Sequence, residues 1–311
     1  MKLLDKVLRR IYIYFLKPIA HFYFKKFPKE IPRIYSVYLQ ETRKRDLEIL
    51  VELTMKGPFS YLGELNEKIH LPLDGTIFQE VVQASSWQKE EIDYVISKLK
   101  NDTVYSIIDV GANVGLFSRQ LLESCKKQGL AIKKIICVEP DKKNFECLKH
   151  NLQKYSETLS CVLYNIALSS TNEIKPLFRD MSNSGNYSLL PQAMHQLYPY
   201  SQEMVEVRDA HDFFNVDEEA QIIYKSDTQG ADVEIVGRLP RKLWDQVHIA
   251  VIELWALPAV NNHCISNFIQ RMSSFKELMF SSGRHVSLEE IEIFLKSCNY
   301  RHIDLYAARE G

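Results

Sequence analysis

The segment IIDVGANVGLFS, residues 107–118, constrains the fold of this chain more than any other. An apolar run ends near Asp109, turns through Gly111 and Gly115, and continues as the helical pattern LFSRQLLESCKKQ. Glycine adopts backbone conformations that other residues avoid, so the pair predicts a tight connection from a buried strand to a helix. A helix that starts directly after such a turn presents unpaired backbone N–H groups to a ligand. The segment therefore predicts a strand, a turn and a helix, with a ligand at the turn.

Strand and helix patterns alternate along the chain from about residue 85 onward. The stretches KKIICVEPD, CVLYNIALSS, QIIYKSDTQG and HIAVIELW are apolar strand patterns, with helical patterns such as NFECLKHNLQKY among them. This alternation favours an α/β fold, in which helices cover both faces of a parallel sheet. Residues 170–215 interrupt the rhythm with short strand patterns around a polar loop and predict an insertion beside the site. Residues 1–80 are rich in helical patterns and predict a helical N-terminal extension.

The glycine spacing and a downstream acid indicate what the turn holds. A dinucleotide-binding fingerprint would place glycines at positions 111, 113 and 116, but Asn113 and Leu116 stand at the last two. Glu139 ends the next apolar strand, where an acid can accept hydrogen bonds from both hydroxyls of a ribose. Dehydrogenases use the same device, so Glu139 predicts a ribose-bearing cofactor without identifying it. The turn itself, DxGxxxG, resembles the first motif of class I S-adenosylmethionine (SAM)-dependent methyltransferases.

Four motifs in this order, DVGANVG, VEPD, NIALSS and SDTQGADVEIV, resemble those of the FkbM family of SAM-dependent methyltransferases. The resemblance covers about residues 85–255. It implies a class I methyltransferase-like Rossmann fold, with a mostly parallel seven-stranded sheet, and a SAM-dependent methyltransferase domain over residues 81–311. Two departures leave the shape of the loop after the fourth strand open. Val236-Gly237-Arg238 stands where the family usually has Leu-Lys-Gly, and Ser226 replaces an aliphatic residue.

The motifs and the resemblance together assign residues to SAM and to the reaction. The predicted cofactor-binding residues are Asp109, Gly111, Ala112, Asn113, Gly115, Glu139, Pro140, Asn165, Ala167 and Leu168. In the family, the stretch that contains Asn165, Ala167 and Leu168 ends the third strand beside the adenine. The stretch from Asp227 to Gly230 ends the fourth strand next to the methyl donor, and Asp227 is the predicted catalytic residue.

Asp227 follows a strand pattern and therefore lies at the carboxyl edge of the predicted sheet, where such folds bind ligands. It could take the proton of an acceptor hydroxyl, orient the acceptor, or cap the next helix. Glu253 is a weaker candidate for the same pocket. Together with Asp227 and Asp232 it would suit Mg²⁺, although no ligand spacing supports a metal and none is predicted. Three histidines in loops are alternative bases: His195, His211 and His263.

The leading functional prediction is an O-methyltransferase that uses SAM and acts on a hydroxyl of a small molecule, sugar or glycolipid. Methyl transfer from a sulfonium is an in-line displacement, so positioning can supply most of the acceleration. One alternative is a non-catalytic SAM-binding or scaffold protein of a membrane-bound biosynthetic complex. A nicotinamide-dependent oxidoreductase is disfavoured because the dinucleotide glycines are missing.

Charge and composition bear on partners and location. The formal net charge is −1, so no overall positive field recruits nucleic acid. The six cysteines contain no CxxC pair, which favours free thiols and a reducing cytoplasm. Residues 1–29, in contrast, set many basic residues against one acid, Asp5, around the stretch IYIYFLKPIAHFYF. This segment is either an interfacial helix on an anionic membrane or a terminal helix whose aromatic residues pack on the main domain.

Overall fold

The computed structural model describes residues 59–62, 68–72, 77, 81, 87–180, 183–193, 200–214, 220–258 and 260–309. The basic and aromatic segment 1–29 lies outside the described residues, as does His195. The domain boundary predicted near residue 80 falls where isolated residues alone are described. That boundary therefore stays a prediction.

The described residues form three sheets and a set of helices. The strands, in chain order, are β1 (Phe59–Leu62), β2 (Lys68–Leu71), β3 (Val104–Val110), β4 (Ala131–Val138), β5 (Ser160–Tyr164), β6 (Ala167–Ser169), β7 (Glu173–Asp180), β8 (Tyr187–Ser188), β9 (Tyr200–Asp209), β10 (Gln221–Ser226), β11 (Val247–Trp255), β12 (Glu277–Phe280) and β13 (His302–Ala308). The helices are α1 (Lys89–Lys98), α2 (Leu116–Gln128), α3 (Lys142–Leu152), α4 (Ala210–Phe213), α5 (Asp232–Arg238), α6 (Arg241–Trp244), α7 (Asn262–Met272) and α8 (Leu288–Lys296). Two 3₁₀ turns are Gln153–Tyr155 and Pro191–Ala193.

The central sheet has seven strands in the order β12-β13-β11-β10-β3-β4-β5. Its neighbours run parallel, except that β13 lies antiparallel between β11 and β12. Numbered by chain order within this sheet, the strands run 3-2-1-4-5-7-6 from the β5 edge. This is the doubly wound Rossmann order 3-2-1-4-5-6 with one further strand inserted before the last. The predicted mostly parallel, seven-stranded Rossmann-like sheet is confirmed.

Helices cover both faces of this sheet, as the alternation predicted. One face packs against α1, α2 and α3 through residues such as Val95, Leu121 and Leu148. The other face packs against α5 to α8 through residues such as Val236 and Phe268. Parallel strands covered on both faces bury the side chains of both rows, and accordingly β11 is buried at every position and β3 at all but its first.

A second sheet, in the order β6-β9-β7-β8, contains the strand patterns that interrupt the alternation. It also contains β6, so the stretch CVLYNIALSS, predicted as one strand, is divided between the central sheet (β5) and this one. β7 and β9 pair antiparallel along their length, from Glu173↔Val207 to Asp180↔Tyr200. One face of this sheet buries an apolar cluster that includes Leu177 and Val207. Leu177 also faces the carboxyl edge of the central sheet, so the second sheet closes one side of the cavity described below.

The strands β1 and β2 form a separate antiparallel pair within the range predicted to be helical. Gly57-Pro58 stops the helical pattern directly before β1, which frees the following residues to pair as strands. The side-chain amide of Asn151 in α3 holds β2 by bonding to both the backbone N–H and the carbonyl of His70, at 2.7 and 2.8 Å. Across the described ranges, no helix combines the length and the apolar character needed to cross a membrane.

Candidate active site

A cavity of about 820 Å³, counted with its opening to solvent, lies at the carboxyl ends of β3 and β10. The strand order of the sheet reverses between these two strands. Crevices at such switch points hold the ligands of doubly wound sheets. We call this space the first cavity.

Gly111 lies at the wall of the first cavity, where the close approach of a neighbouring chain segment leaves no room for a side chain. Its φ is +74°, and a Cβ at this position would lie 2.0 Å from the carbonyl oxygen of Asp227, which follows β10. Gly115, the N-cap of α2, has φ +78°, and a Cβ there would lie 2.6 Å from Leu148 of α3. The sequence predicts that these glycines admit a ligand, whereas in the structure β10 and α3 make the closest approaches. Gly111 therefore shapes the wall of the site, and Gly115 allows α2 and α3 to pack closely beside it.

Asn113 ties the turn between β3 and α2 to two other loops. Its backbone N–H donates to Glu139 Oε2 at 2.8 Å. Its side-chain Nδ2 donates to the carbonyl oxygen of Ser184 at 2.9 Å, and Asn144 Nδ2 donates to the same oxygen at 3.0 Å. Ser184 belongs to the connection between β7 and β8, so these bonds hold the second sheet against the turn.

Glu139 lines the first cavity with its carboxylate almost completely buried, at 4% exposure. Its Oε1 accepts the backbone N–H of Asp141 and its Oε2 that of Asn113, both at 2.8 Å. A carboxylate oxygen has more than one lone pair, so each oxygen can accept a further hydrogen bond from a ligand hydroxyl. Burial, and after it the Asp141 carboxylate, raises the pKa of Glu139 to about 8 against the effect of the two backbone bonds.

The other predicted cofactor residues divide into two groups. Those that line the first cavity beside Glu139 are Gly111, Ala112, Asn113, Pro140, Ala167 and Leu168. Asp109, Gly115 and Asn165 do not line it. Asp109 accepts a hydrogen bond from the Ser118 hydroxyl at 2.6 Å, and Asn165 Nδ2 donates to the carbonyls of Glu139 and Pro140, both at 2.9 Å. Their assignment to the cofactor stays a prediction, and the contacts that the structure shows for them hold the surrounding loops.

A buried lysine links Asp109 to the predicted catalytic residue. Lys225 is 4% exposed, with its Nζ 3.5 Å from Asp109 Oδ1 and 3.6 Å from Asp227 Oδ2. Burial disfavours the ammonium, but Asp109 and then Asp227 outweigh burial and raise the pKa of Lys225 above its ordinary value. The positive charge of Lys225 is therefore matched by these two carboxylates.

Asp227 lies where the first cavity meets a second one. The second cavity measures about 1340 Å³, counted in the same way, and shares Trp87, Gln88, Gly185 and Asp227 with the first. Asp227 Oδ1 accepts a hydrogen bond from Gln229 Nε2 at 2.8 Å, and Oδ2 accepts one from Gln88 Nε2 at 3.2 Å. Two side-chain amides thus orient the carboxylate at the junction.

A row of three carboxylates lines the second cavity on neighbouring strands. Asp227 follows β10, Glu253 belongs to β11, and Asp304 is paired with Glu253 in β13. Gln229 Nε2 also donates to Glu253 Oε2 at 2.9 Å and so joins two members of the row. Burial, followed by repulsion from Asp227, raises the pKa of Glu253 well above its ordinary value and that of Asp304 to about 7.

The hypothesis that acids of this region hold Mg²⁺ finds no support in the geometry. Among the residues that the structure describes, no group of three potential ligands is arranged to hold a metal ion. The oxygens of Asp232 accept hydrogen bonds from the Ser226 hydroxyl and from the backbone N–H groups of Thr228 and Gly230. Asp232 therefore shapes the loop after β10.

The histidines considered as alternative bases do not reach the two cavities. His211 lies exposed in α4, with its Nδ1 3.3 Å from the carbonyl oxygen of Arg238. His263 lies in α7, where its Nε2 is 3.3 Å from Asn267 Nδ2. Neither residue lines either cavity, and His195 lies outside the described residues.

Gln88 and Gln229 are site residues that sequence reasoning missed. Both have positive φ angles, +47° and +55°, in the left-handed region that residues other than glycine rarely adopt. Both donate a side-chain amide to Asp227. Glutamine has no preference for such a backbone, so the sequence carries no signal of these turns. Backbone outliers of this kind concentrate at functional sites.

Comparisons with known proteins give distant likenesses. No protein-family model matches the chain, and no curated protein matches it. Among solved structures, the chain is similar to the methyltransferase FkbM from Methylobacillus flagellatus KT, with 11% identity and a TM-score of 0.42. That match covers 91% of this chain and 60% of the other, so this chain spans less than two thirds of that methyltransferase.

Two further solved structures have a similar degree of likeness. A putative RNA methyltransferase from Pyrococcus horikoshii has 15% identity and a TM-score of 0.35, over 86% of this chain and 99% of the other. A geranyl diphosphate methyltransferase in complex with GPP and sinefungin has 8% identity and a TM-score of 0.37, over 71% and 78%. At these identities and TM-scores, neither a reaction nor an acceptor is transferred to this chain.

Proposed function

We propose that the chain is a SAM-dependent O-methyltransferase that holds SAM in the first cavity and a hydroxyl acceptor in the second. The observation that carries the proposal is the position of Asp227, whose side chain borders both cavities. A methyl donor in one cavity and an acceptor in the other would meet beside this carboxylate. The acceptor class, a small molecule, sugar or glycolipid, comes from the resemblance of the sequence motifs.

The first cavity suits the adenosine part of SAM. The buried carboxylate of Glu139 can accept two ribose hydroxyls, and Ile166, Ala167 and Leu168 supply apolar surface for the adenine. The buried hydroxyl of Thr228 borders the cavity and has no hydrogen-bond partner among the described residues, so it can bond to a polar group of a ligand. When bound, SAM supplies an electrophilic methyl group.

A dinucleotide fits the same cavity less well because of charge. Among the described lining residues, the one cation is Lys225, whose ammonium already faces Asp109 and Asp227. A pyrophosphate would thus lie in a mostly buried site without a free counter-charge, which is unfavourable. This charge balance favours the sulfonium cofactor over NAD.

Asp227 would act on the acceptor hydroxyl. Hydrogen bonds from Gln88 and Gln229 fix its orientation, and Lys225 lies on its inner side. A carboxylate held in this way can accept the hydrogen bond of a hydroxyl and take its proton as the oxygen bonds to the methyl carbon. The bond from that carbon to the sulfonium sulfur would break in the same step, with S-adenosylhomocysteine as the leaving group. Gln229 also joins Asp227 to Glu253, so the position of the base is coupled to the floor of the second cavity.

Peripheral contact with an anionic membrane through residues 1–29 is a further part of the proposal. It rests on the basic and aromatic sequence of that segment, which lies outside the described residues. Replacing Lys2, Lys6, Arg9 and Arg10 with glutamine should lower the binding constant for phosphatidylserine vesicles, measured by sedimentation, by orders of magnitude. Each basic residue contributes about 1 kcal/mol to such binding. Sedimentation equal to that of the parent chain would contradict an electrostatic anchor.

Calorimetry with S-adenosylhomocysteine and with NAD⁺ tests the cofactor assignment. Binding of the first and not of the second is the expected result, and the reverse would refute the proposal.

The reaction is tested by supplying SAM labelled in its methyl group together with a cell extract separated into small-molecule, lipid, RNA and protein fractions. We expect label in the small-molecule or lipid fraction, in a form stable to base, because methyl ethers resist hydrolysis and methyl esters do not. Label in RNA or protein would contradict the acceptor class.

A further inference from the structure

An arginine of the second sheet makes an ion pair below the first cavity. Arg179 of β7 has its Nε 2.9 Å from Asp141 Oδ2 and a terminal nitrogen 2.8 Å from Glu203 Oε2. The Arg179 side chain is 14% exposed and that of Asp141 is fully buried. Its guanidinium also lies over the ring of Tyr187, 5.4 Å from the centre. The pair therefore joins the second sheet to the loop after β4 in a mostly desolvated place.

Asp141 carries this connection to the cavity. Its Oδ1 accepts the backbone N–H groups of Lys143 and Asn144, each at 2.9 Å, and so caps the N-terminus of α3. Its backbone N–H donates to Glu139 Oε1 at 2.8 Å. Asp141 is thus in direct contact with the carboxylate that faces the ribose, and Arg179 is the cation that faces Asp141.

We propose that Arg179 is a positioning residue that favours the ionised form of Glu139 at the ribose by neutralising the buried charge of Asp141. The inference rests on the proposed function of the first cavity. It assigns a role to the second sheet, which would otherwise serve as a wall: one of its side chains sets the charge at the cofactor site. Arg179 acts through Asp141 and need not touch the ligand.

The electrostatic reasoning follows from the groups that face Glu139. The nearby charged groups that oppose its ionisation are Asp141 first and Asp109 second, and the backbone N–H groups of Asp141 and Asn113 favour it. Asp109 is matched by Lys225, and Asp141 is matched by Arg179. Without Arg179, the negative charge of Asp141 would lose its neighbouring cation and would act more strongly on Glu139, in a medium of low polarity where charges interact strongly.

The experiment measures the affinity of 5′-methylthioadenosine from pH 6 to pH 9.5 by calorimetry. This probe carries the adenine and ribose of SAM but not its amino-acid part, so the ligand has no group that ionises in this range. The parent chain should bind 5′-methylthioadenosine more tightly as pH rises, and the midpoint of this pH dependence should reflect the ionisation of Glu139. Arg179→Met should move that midpoint upward by about one pH unit, whereas Arg179→Lys, which keeps the positive charge, should restore it.

Two further variants separate charge from structure. Arg208→Met removes an arginine from the same sheet, one that pairs with Glu206 at the surface, and should leave the midpoint unchanged. Asp141→Asn keeps a good helix cap but removes the negative charge, so it should move the midpoint downward. This opposite shift tests the inference even if Arg179→Met fails to fold.

The outcomes distinguish the inference from the proposed function. A midpoint that stays at the parent value in folded Arg179→Met and in Asp141→Asn would overturn the inference alone. Affinity lost by the same factor at every pH would also overturn it, because that result indicates a purely structural role. Failure of the parent chain to bind 5′-methylthioadenosine at any pH would overturn the proposed function and this inference with it.

Discussion

Gly111 and Asp227 are in direct backbone contact: a Cβ on residue 111 would lie 2.0 Å from the carbonyl oxygen of Asp227. The backbone N–H of Asp227 in turn donates to the carbonyl of Val110 at 3.0 Å. The turn after β3 and the loop after β10 therefore hold each other in place. The residue proposed to act on the acceptor is positioned by the turn proposed to hold the methyl donor.

Gly111→Ala should destabilise the chain by at least about 3 kcal/mol, since it combines a left-handed backbone with a clash against a main-chain atom that cannot rotate away. Gly129→Ala is the matched control. Gly129 has φ +71° and no atom within 4 Å of its Cβ position, so its substitution should cost only about 1–2 kcal/mol. Urea denaturation measures both free energies of unfolding. Equal losses in the two variants would show that the contact with Asp227 does not matter.

The affinity for 5′-methylthioadenosine should rise with pH through about pH 8, the pKa of Glu139, and level off about one unit above it, where Glu139 is mostly ionised. A protonated carboxyl has lost an acceptor, so ligand binding and protonation compete; affinity therefore falls as pH falls below the raised pKa. Glu139→Gln should weaken binding at pH 9 by about tenfold to a hundredfold and remove the pH dependence. Glu146→Gln, a change at the surface of α3, should leave the curve unchanged. A parent curve that is flat from pH 6 to pH 9 would contradict the role of Glu139.

Asp304→Asn should stabilise the ligand-free chain, and more so at pH 8 than at pH 5. Burial and repulsion raise the pKa of Asp304 to about 7. The folded chain therefore binds more protons there than the unfolded chain, and the free energy of unfolding falls as pH rises from about 4 to 7. Asparagine does not ionise, so the gain at pH 8 should reach about 1 kcal/mol or more. Asp102→Asn, at an exposed site, should change stability by less than about 0.5 kcal/mol at either pH. If Asp304→Asn were less stable than the parent chain at pH 8, that result would contradict the predicted repulsion among the three carboxylates.

Asp227→Asn keeps the size of the side chain and removes its basicity. The rate of methyl transfer into the active extract fraction should fall by about 10²–10⁴-fold, while the affinity for S-adenosylhomocysteine changes little. The parent activity should persist in EDTA, because the described residues offer no metal site near Asp227. A variant with the parent rate would exclude Asp227 as base and as orienting group. Activity abolished by EDTA in the parent would instead favour a metal.

The parallel part of the fold was predictable because its signals are local and periodic. β3, β10 and β11 are apolar runs that end at a glycine turn or an acid, and the helices between them repeat an apolar face. The antiparallel insertion of β13 was not predictable from its own residues. A strand carries no mark of its neighbours when both of its faces are buried, and the pairing of β13 with β11 depends on contacts far apart in sequence.

The candidate site was predictable where function requires a particular backbone or charge. Gly111, Glu139 and Asp227 were found from their positions at strand ends, and all three line the first cavity. Gln88 and Gln229 were missed because their role depends on left-handed backbone conformations, which a glutamine in the sequence does not indicate. Asp304 was missed because it lies near the start of its strand. β13 runs antiparallel to β11, so the start of β13 lies at the edge of the sheet where β10 and β11 end.

The place of β13 in the sheet also dictates the order in which the molecule can be completed during translation. Until the ribosome has released residues 302–308, β11 has an unpaired edge and β12 lacks the strand that joins it to the sheet. The first cavity is built from residues up to 231, whereas the second receives Asp304 with the inserted strand. The cavity proposed to hold the methyl donor can therefore form before β13 is available, whereas the cavity proposed to hold the acceptor requires that strand.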